Sequence, residues 1–204
     1  MDKDPRDKLI EVGTRLFAKK GLAAVTIREL ADAAGTNSAM ISYYFGGKEG
    51  LYAAVMEAHL EKIRSVIKQA QLNNLEPLEK IRRYGQGVLN IHNQSPYLIR
   101  LVFSEITNPT VHFEPVRKTI GLVALFLQQA IREGIEAGQI RPDVDPAYAT
   151  VALAGILNFF FIARPLAEGF LPQGQNHEGV FNRQALDIFL NGIALHDDVA
   201  DNNS

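Results

Sequence analysis

Residues 26–48 read Thr-Ile-Arg-Glu-Leu-Ala-Asp-Ala-Ala-Gly-Thr-Asn-Ser-Ala-Met-Ile-Ser-Tyr-Tyr-Phe-Gly-Gly-Lys. Thr26 followed three residues on by Glu29 is a capping box: the hydroxyl accepts from a first-turn N–H and the carboxylate reaches back to the cap N–H. Ile27, Leu30, Ala31 and Ala34 then share one face at helical spacing. Gly35 stops the helix, because the residue just past a helix end often needs positive φ and glycine adopts it without a Cβ clash. Thr36-Asn37-Ser38 offers a second N-cap, with Asn37 best placed. A short helix follows from Ser38 to about Tyr44, with Met40, Ile41 and Phe45 inward.

Two short helices joined by a tight glycine-containing turn cross steeply, and the second can lie in a DNA major groove. That second helix presents Ser38, Ala39, Ser42, Tyr43 and Tyr44 outward. Small residues at its start let the backbone approach base edges. Ala39 suits a thymine methyl, and Ser or Asn can hydrogen-bond a base. Tyr hydroxyls, Lys48 and the N-terminus of the helix at Thr26 suit phosphates. The expected DNA-contacting set is therefore Thr26, Arg28, Thr36, Asn37, Ser38, Ala39, Ser42, Tyr43, Tyr44 and Lys48. Arg28 and the Ser38–Tyr43 surface are expected to read bases; Thr26, Tyr44 and Lys48 are expected to hold phosphates.

These residues carry a family resemblance. Thr26, Leu30-Ala31, Ala34-Gly35, Tyr43-Tyr44-Phe45 and Lys48-Glu49-Gly50-Leu51 resemble the DNA-binding domain of TetR-family transcriptional regulators in identity, spacing and position. Two positions depart: Ser42, where many members carry Tyr, and Gly47, where many carry a capping Ser or Asn. The matching motif spans roughly the first quarter of the chain; beyond it the resemblance is one of helical architecture.

Outward from the motif, Pro5 to Lys20 reads as a helix with Leu9, Ile10, Val12, Leu16 and Phe17 as its apolar stripe, ended by Lys19-Lys20-Gly21. It completes a three-helix domain. Lys48 opens a long helix to about Leu72, with Leu51, Tyr52, Val55, His59, Ile63, Val66 and Ile67 at spacings of three and four. The expectation is a domain over 1–47 that binds DNA, and a domain over 48–204 that binds effector and dimerises. The shared long helix couples them mechanically. Further helices are expected from Pro77 to about Asn93, from Ser95-Pro96 to about Thr107, and from Glu114-Pro115 to Ala137-Gly138. Asp145-Pro146 opens another, and the last runs from about Val180 to Leu195. Gly169 to Gly179 reads as a surface loop, and the polar tail from Asp197 as disordered. No strand pattern or internal repeat is found. The fold class is all-α: an N-terminal helix-turn-helix domain joined by a long helix to a C-terminal helical bundle.

Val151 to Ile162 is apolar nearly all round. It falls short of the ~20 residues a membrane span needs and is interrupted by Asn158, so burial against protein is the better reading. A monomer of this size has little room for both this helix and the last. The simplest solution pairs helices 146–164 and 180–195 with their copies about a twofold axis; members of the TetR family are typically dimers of this kind. Two recognition helices about one DNA turn apart, ~34 Å, would then read a palindromic operator in double-stranded DNA.

Composition sets limits on other functions. The chain has 204 residues, 47% apolar and 22% charged, typical of a globular protein. There is no cysteine, hence no disulfide, thiolate metal site or cysteine nucleophile. The charged N-terminus has no secretory h-region, and the expected location is cytoplasmic. Net charge is −2, with eight basic and seven acidic side chains in residues 1–50. Any DNA-binding charge must be gathered on one face. Gly47-Lys48-Glu49 is not a phosphate-binding loop, and Gly85-Gln86-Gly87 lacks the strand and third glycine of a dinucleotide site. The five histidines form no ligand pair on one helix. No metal, no cofactor and no catalytic constellation is expected.

Beyond residue 48, polar residues on apolar faces suggest a ligand cavity: Tyr84, His92, Arg100, Phe103, Glu105, Phe126 and Asn158. Asn108-Pro109 separates Glu105 from His112, and both are expected as polar positions lining a cavity or facing solvent. TetR-like proteins commonly bind an effector in this domain, and here an apolar or aromatic small molecule is expected. The leading expectation is a repressor that an effector releases from its operator. An architectural DNA binder without effector is the alternative, and an all-helical enzyme a more distant one.

Overall fold

The structure is a computed structural model describing residues 4–72, 75–167, 169–172 and 177–196. Among the described residues the helices are α1 Pro5–Lys20, α2 Ile27–Ala34, α3 Ser38–Phe45, α4 Lys48–Leu72, α5 Pro77–Gln94, α6 Leu98–Thr107, α7 Phe113–Glu136, α8 Pro146–Ile162, α9 Arg164–Ala167 and α10 His177–Ile193. Among the described residues the only β pairing is one isolated bridge between Ile140 and Ala194.

Local chemistry sets the helix ends. Asp4 caps α1 by accepting from the Arg6 N–H at 2.8 Å, with Pro5 entering the first turn. Asp145 caps α8 in the same way, accepting from the amides of Ala147 and Tyr148 ahead of Pro146. Gly35 closes α2 in the left-handed region at φ 64°, ψ 38°, and its N–H returns to the carbonyls of Ala31 and Asp32.

The chain divides into two compact units: Met1–Val66 with Asn90–Leu122, and Ile67–Leu89 with Val123–Ser204. The first unit's core joins α1 (Leu9, Val12, Phe17) to Val25, Leu30, Ile41 and the α4 residues Leu51, Tyr52 and Val55, all buried. The second unit buries Ile81, Tyr84, Phe126, Leu127, Ile131, Leu153, Leu157, Phe160, Phe189 and Leu190. Within it, α8 packs on α10, Phe160 stacks on Phe181 at 4.9 Å, and Lys80 pairs with Glu133 at 2.6 Å.

Several expectations shift. The capping box at Thr26 is half made: its hydroxyl accepts from the Glu29 N–H at 3.1 Å, but the Glu29 carboxylate turns to Lys20 at 2.5 Å. A cation within reach competes successfully with the cap amide. On α3 only Ile41 is fully buried, while Met40 and Phe45 are half-buried. Helix α6 begins at Leu98, because Ser95-Pro96-Tyr97 forms a turn closed by the Leu98 N–H on the Ser95 carbonyl at 3.0 Å. Helix α10 starts at His177, inside the expected loop, and α9 was not anticipated. Residues 73–74, between the helices expected to end at about Leu72 and start at Pro77, the centre of the 169–179 loop and the 197–204 tail lie outside the described residues. No described helix is long and apolar enough to cross a membrane.

Candidate nucleic-acid interface

Helices α2 and α3 fold locally as their sequences dictate, and the result is an exposed polar surface on a rigid base. Leu30 and Ala31 anchor α2, and Ile41 anchors α3. Asn37 caps α3 with its side-chain oxygen accepting from the Ala39 N–H at 3.0 Å. Ser38, Ala39, Ser42 and Tyr43 are all exposed, and Tyr43 is the extreme case at 79%. An aromatic side chain held that far from the core has no packing role in the single chain; its ring leans edge-on to Tyr44 at 5.1 Å. Tyr44 and Thr36 are half-buried, at the rim of this surface.

The N-terminus of α2 faces the same chemistry. Its first helical bond is from the Leu30 N–H to the Thr26 carbonyl at 3.1 Å, and Thr26 Oγ takes the Glu29 amide. The amides of Ile27 and Arg28 have no intrahelical acceptor, which suits a phosphate. Arg28 has a side chain 91% exposed and is only loosely associated with Asp32 at 3.8 Å. Lys48 differs from the expected free phosphate ligand: its ammonium donates to the Leu22 carbonyl at 3.0 Å and is half-buried. That contact ties the start of α4 to the α1–α2 loop and leaves two N–H groups for another acceptor. The Arg6 guanidinium stands over the Phe45 ring at 5.5 Å, within cation–π range.

The seven residues expected to line an effector cavity divide between the two units. Tyr84 and Phe126 come together, ring centroids 6.2 Å apart, in the second unit. Burial holds the Tyr84 phenol above the ordinary tyrosine range. Asn158, also there, donates to the Ala154 carbonyl of its own helix at 2.8 Å. His92, Arg100, Phe103 and Glu105 belong to the first unit; His92 is buried, whereas Arg100 and Phe103 are exposed.

Glu105 has a structural engagement that spacing did not reveal. It is 1% exposed; its carboxylate accepts from the Tyr52 hydroxyl at 2.6 Å and from the Thr110 amide and hydroxyl at 3.2 and 2.9 Å. Burial, then this carboxylate, pushes the Tyr52 phenol up. His112 does join the group, its ring 5.1 Å from that of Tyr52. Tyr52 also packs edge-on against Phe17 of α1 at 5.1 Å. Only the polar Tyr at an apolar position of α4 hinted at such a partner. Among the described residues no group of acidic side chains and histidines is arranged to hold a metal.

With this geometry in view, the relatives are informative. Residues 9–55 match the family described as "Bacterial regulatory proteins, tetR family", and residues 77–190 match "Tetracyclin repressor-like, C-terminal domain". The chain is 30% identical over 191 residues to the HTH-type transcriptional repressor KstR2 of Rhodococcus jostii (strain RHA1), covering 93% of this chain and 91% of that one. It is 26% identical over 172 residues to the HTH-type transcriptional repressor NicS of Pseudomonas putida, covering 81% and 80%. In fold it is similar to the ketosteroid transcriptional regulator KstR2 of Mycobacterium tuberculosis, with a TM-score of 0.78 at 20% identity over 96% and 98% of the two chains. It is also similar to AibR, solved in complex with isovaleryl coenzyme A and operator DNA, with a TM-score of 0.75 at 19% identity over 91% and 97%. Matched through both its helix-turn-helix and its C-terminal helices, the chain belongs to the TetR family and is a DNA-binding transcriptional regulator.

Proposed function

We propose that this regulator is a repressor that binds a palindromic operator as a homodimer and leaves it when a small molecule binds. The observation that carries the reading is the α3 surface, where Ser38, Ala39, Ser42 and Tyr43 project from a helix anchored by buried Ile41. Arg28 and the Ser38–Tyr43 surface read bases. Thr26, Tyr44 and the spare N–H groups of Lys48 position the phosphate backbone, and Thr36 and Asn37 complete the DNA-contacting set. Functionally the division falls at Lys48: residues 1–47 contact DNA, and residues 48–204 bind effector and dimerise.

Dimerisation is supported by an apolar stripe left uncovered in the single chain. On α8, Tyr148, Val151, Ala152, Gly155 and Phe159 are exposed at spacings of three and four; on α10, Ile188 and Gly192 are exposed one turn apart. Such a contiguous stripe on two packed helices is the signature of a helical interface. The effector is a molecule with an apolar or aromatic body, held in the second unit near Tyr84 and Phe126, a buried phenol beside an aromatic ring. It acts by binding better to a position of α4 in which the two helix-turn-helix units no longer match the operator. The protein is a cytoplasmic regulator and not an enzyme.

Titration of the purified protein against the intergenic DNA upstream of its own gene, at two salt concentrations, tests this. The expected result is a saturable shift at a palindrome, bound by a dimer, with specificity surviving the higher salt. Binding that ignores sequence and vanishes with salt would establish an architectural protein instead.

A further inference from the structure

Besides the operator surface and the effector region of the second unit, the first unit has a cleft of about 550 Å³ between α1, α4 and the turn joining α5 to α6. We infer that this cleft is a second small-molecule site, and that its ligand is a small zwitterion with an apolar body, of the amino-acid class.

A buried polar group, His59 of α4, lines the cleft and is 6% exposed. Thr14 donates its single hydroxyl hydrogen to the Ile10 carbonyl at 2.8 Å. At the 3.1 Å contact between Thr14 Oγ and His59 Nε2, the hydroxyl can therefore only accept, and Nε2 carries the hydrogen. The other ring nitrogen, Nδ1, is left as a buried acceptor with no partner. Burial and the nearby Lys62 ammonium hold this ring in its neutral form. A buried acceptor without a donor is costly, and an occupant or the water it orders can supply the missing hydrogen.

The charges around the mouth define the occupant. Asp7 and Glu11 stand one turn apart on α1, Arg15 follows one turn further, and Lys62 lies on the α4 wall. Two carboxylates and two cations cancel, so a ligand of either net charge gains on one side and loses on the other. A zwitterion satisfies both. Its ammonium goes to the acidic end of α1, and its carboxylate goes to Arg15 and Lys62. Glu11 and Arg15 are about 6 Å apart along the helix axis, a span that the two charges of an α-amino acid and two long side chains bridge. Lys62 is already fixed toward the turn by its hydrogen bond to Ser95 Oγ at 2.5 Å and keeps two N–H groups for a carboxylate. Ile10, Pro96 and the ring of Tyr97 supply the apolar surface between the charged ends. The site lies wholly in the unit that carries α2 and α3. It stands independently of the operator reading, because binding to it is measured without DNA.

Three probes with one phenyl body isolate the chemistry: L-phenylalanine, phenethylamine and 3-phenylpropanoate, titrated calorimetrically into the full chain. L-phenylalanine is expected to bind saturably at one site per chain, and each singly charged analogue about tenfold more weakly. Asp7→Asn and Arg15→Gln sit on the exposed face of α1 and should leave the melting temperature unchanged, while each weakens L-phenylalanine by about threefold to tenfold. On binding, the His59 ring nitrogen signals should move in the NMR spectrum. Equal binding of a singly charged probe would overturn the ligand class. Absence of saturable binding by all three, or binding untouched by both substitutions, would overturn the site.

Discussion

Tyr43 and Ile41 sit two residues apart on one short helix and have opposite fates. Ile41 is fully buried, while Tyr43 projects into solvent. Tyr43→Ala therefore removes contact surface without touching the core. Operator affinity should fall by up to about tenfold, the upper end of what one neutral hydrogen bond contributes, with the thermal midpoint unchanged; unchanged DNA binding would remove Tyr43 from the interface. Two glycines separate conformational from steric necessity. Gly35 has φ 64° with nothing within 4 Å of an added Cβ, so Gly35→Ala should cost only about 1 kcal/mol. At Gly50 an added Cβ would lie 1.7 Å from the Phe45 carbonyl oxygen. Gly50→Ala must push the α3–α4 junction apart, and urea denaturation should show the larger loss. His59 adds a pH dependence. Burial, then Lys62, lowers its folded-state pKa to about 4, against about 6.5 for an unperturbed histidine. Between these values the unfolded chain binds a proton that the folded chain refuses. The His59 contribution is thus complete above pH ~6.5 and is lost as pH falls toward ~4, on the order of 3 kcal/mol in all. His59→Asn should flatten that part of the stability–pH curve.

At the scale of elements, the first unit is held by polar contacts between segments distant in sequence. Tyr52 of α4 binds Glu105 of α6 across 53 residues and packs on Phe17 of α1. Lys48 fixes the start of α4 to the α1–α2 loop, and Lys20 joins α1 to Glu29 of α2. The Glu105 carboxylate is the sensitive member, because Tyr52 and Thr110, which donate to it, are neutral and it sits away from water. Tyr52→Phe removes its shortest hydrogen bond without opening a cavity. The expected cost is about 1–3 kcal/mol in chemical denaturation; a neutral result would mean that water replaces the phenol. The helix order was legible because each boundary has its own chemistry: Pro5, Thr26, Asn37 and Asp145-Pro146 begin helices and Gly35 ends one, as the sequence implied. Elements that depend on neighbours were not, as α9 and the early start of α10 show.

For the whole molecule, the uncovered apolar stripe on α8 and α10 sets the expected assembly. Val151 is 71% and Ile188 69% exposed in the single chain, so a charge at either leaves the monomer's core intact. Val151→Glu combined with Ile188→Glu should give a folded monomer by sedimentation, with operator affinity reduced because two half-sites are no longer engaged together. Retained dimerisation would move the interface elsewhere.

Sequence alone was enough for the helix-turn-helix, because caps, a positive-φ glycine and an apolar face at helical spacing are local signals acting over a few residues. It was enough, too, for Ser38, Ala39, Ser42 and Tyr43, though not for the half-buried Tyr44, since one helical face follows once Ile41 is assigned inward. Partnerships were decided by tertiary structure. Glu105, expected to line a cavity, is a buried acceptor for Tyr52; Lys48, expected at a phosphate, also donates to Leu22; Glu29 looked like a capping residue and binds Lys20. In each case a polar side chain has several acceptors or donors within its reach. Which one it takes depends on what packing brings within about 3 Å, and that distance is set by residues far away in the chain.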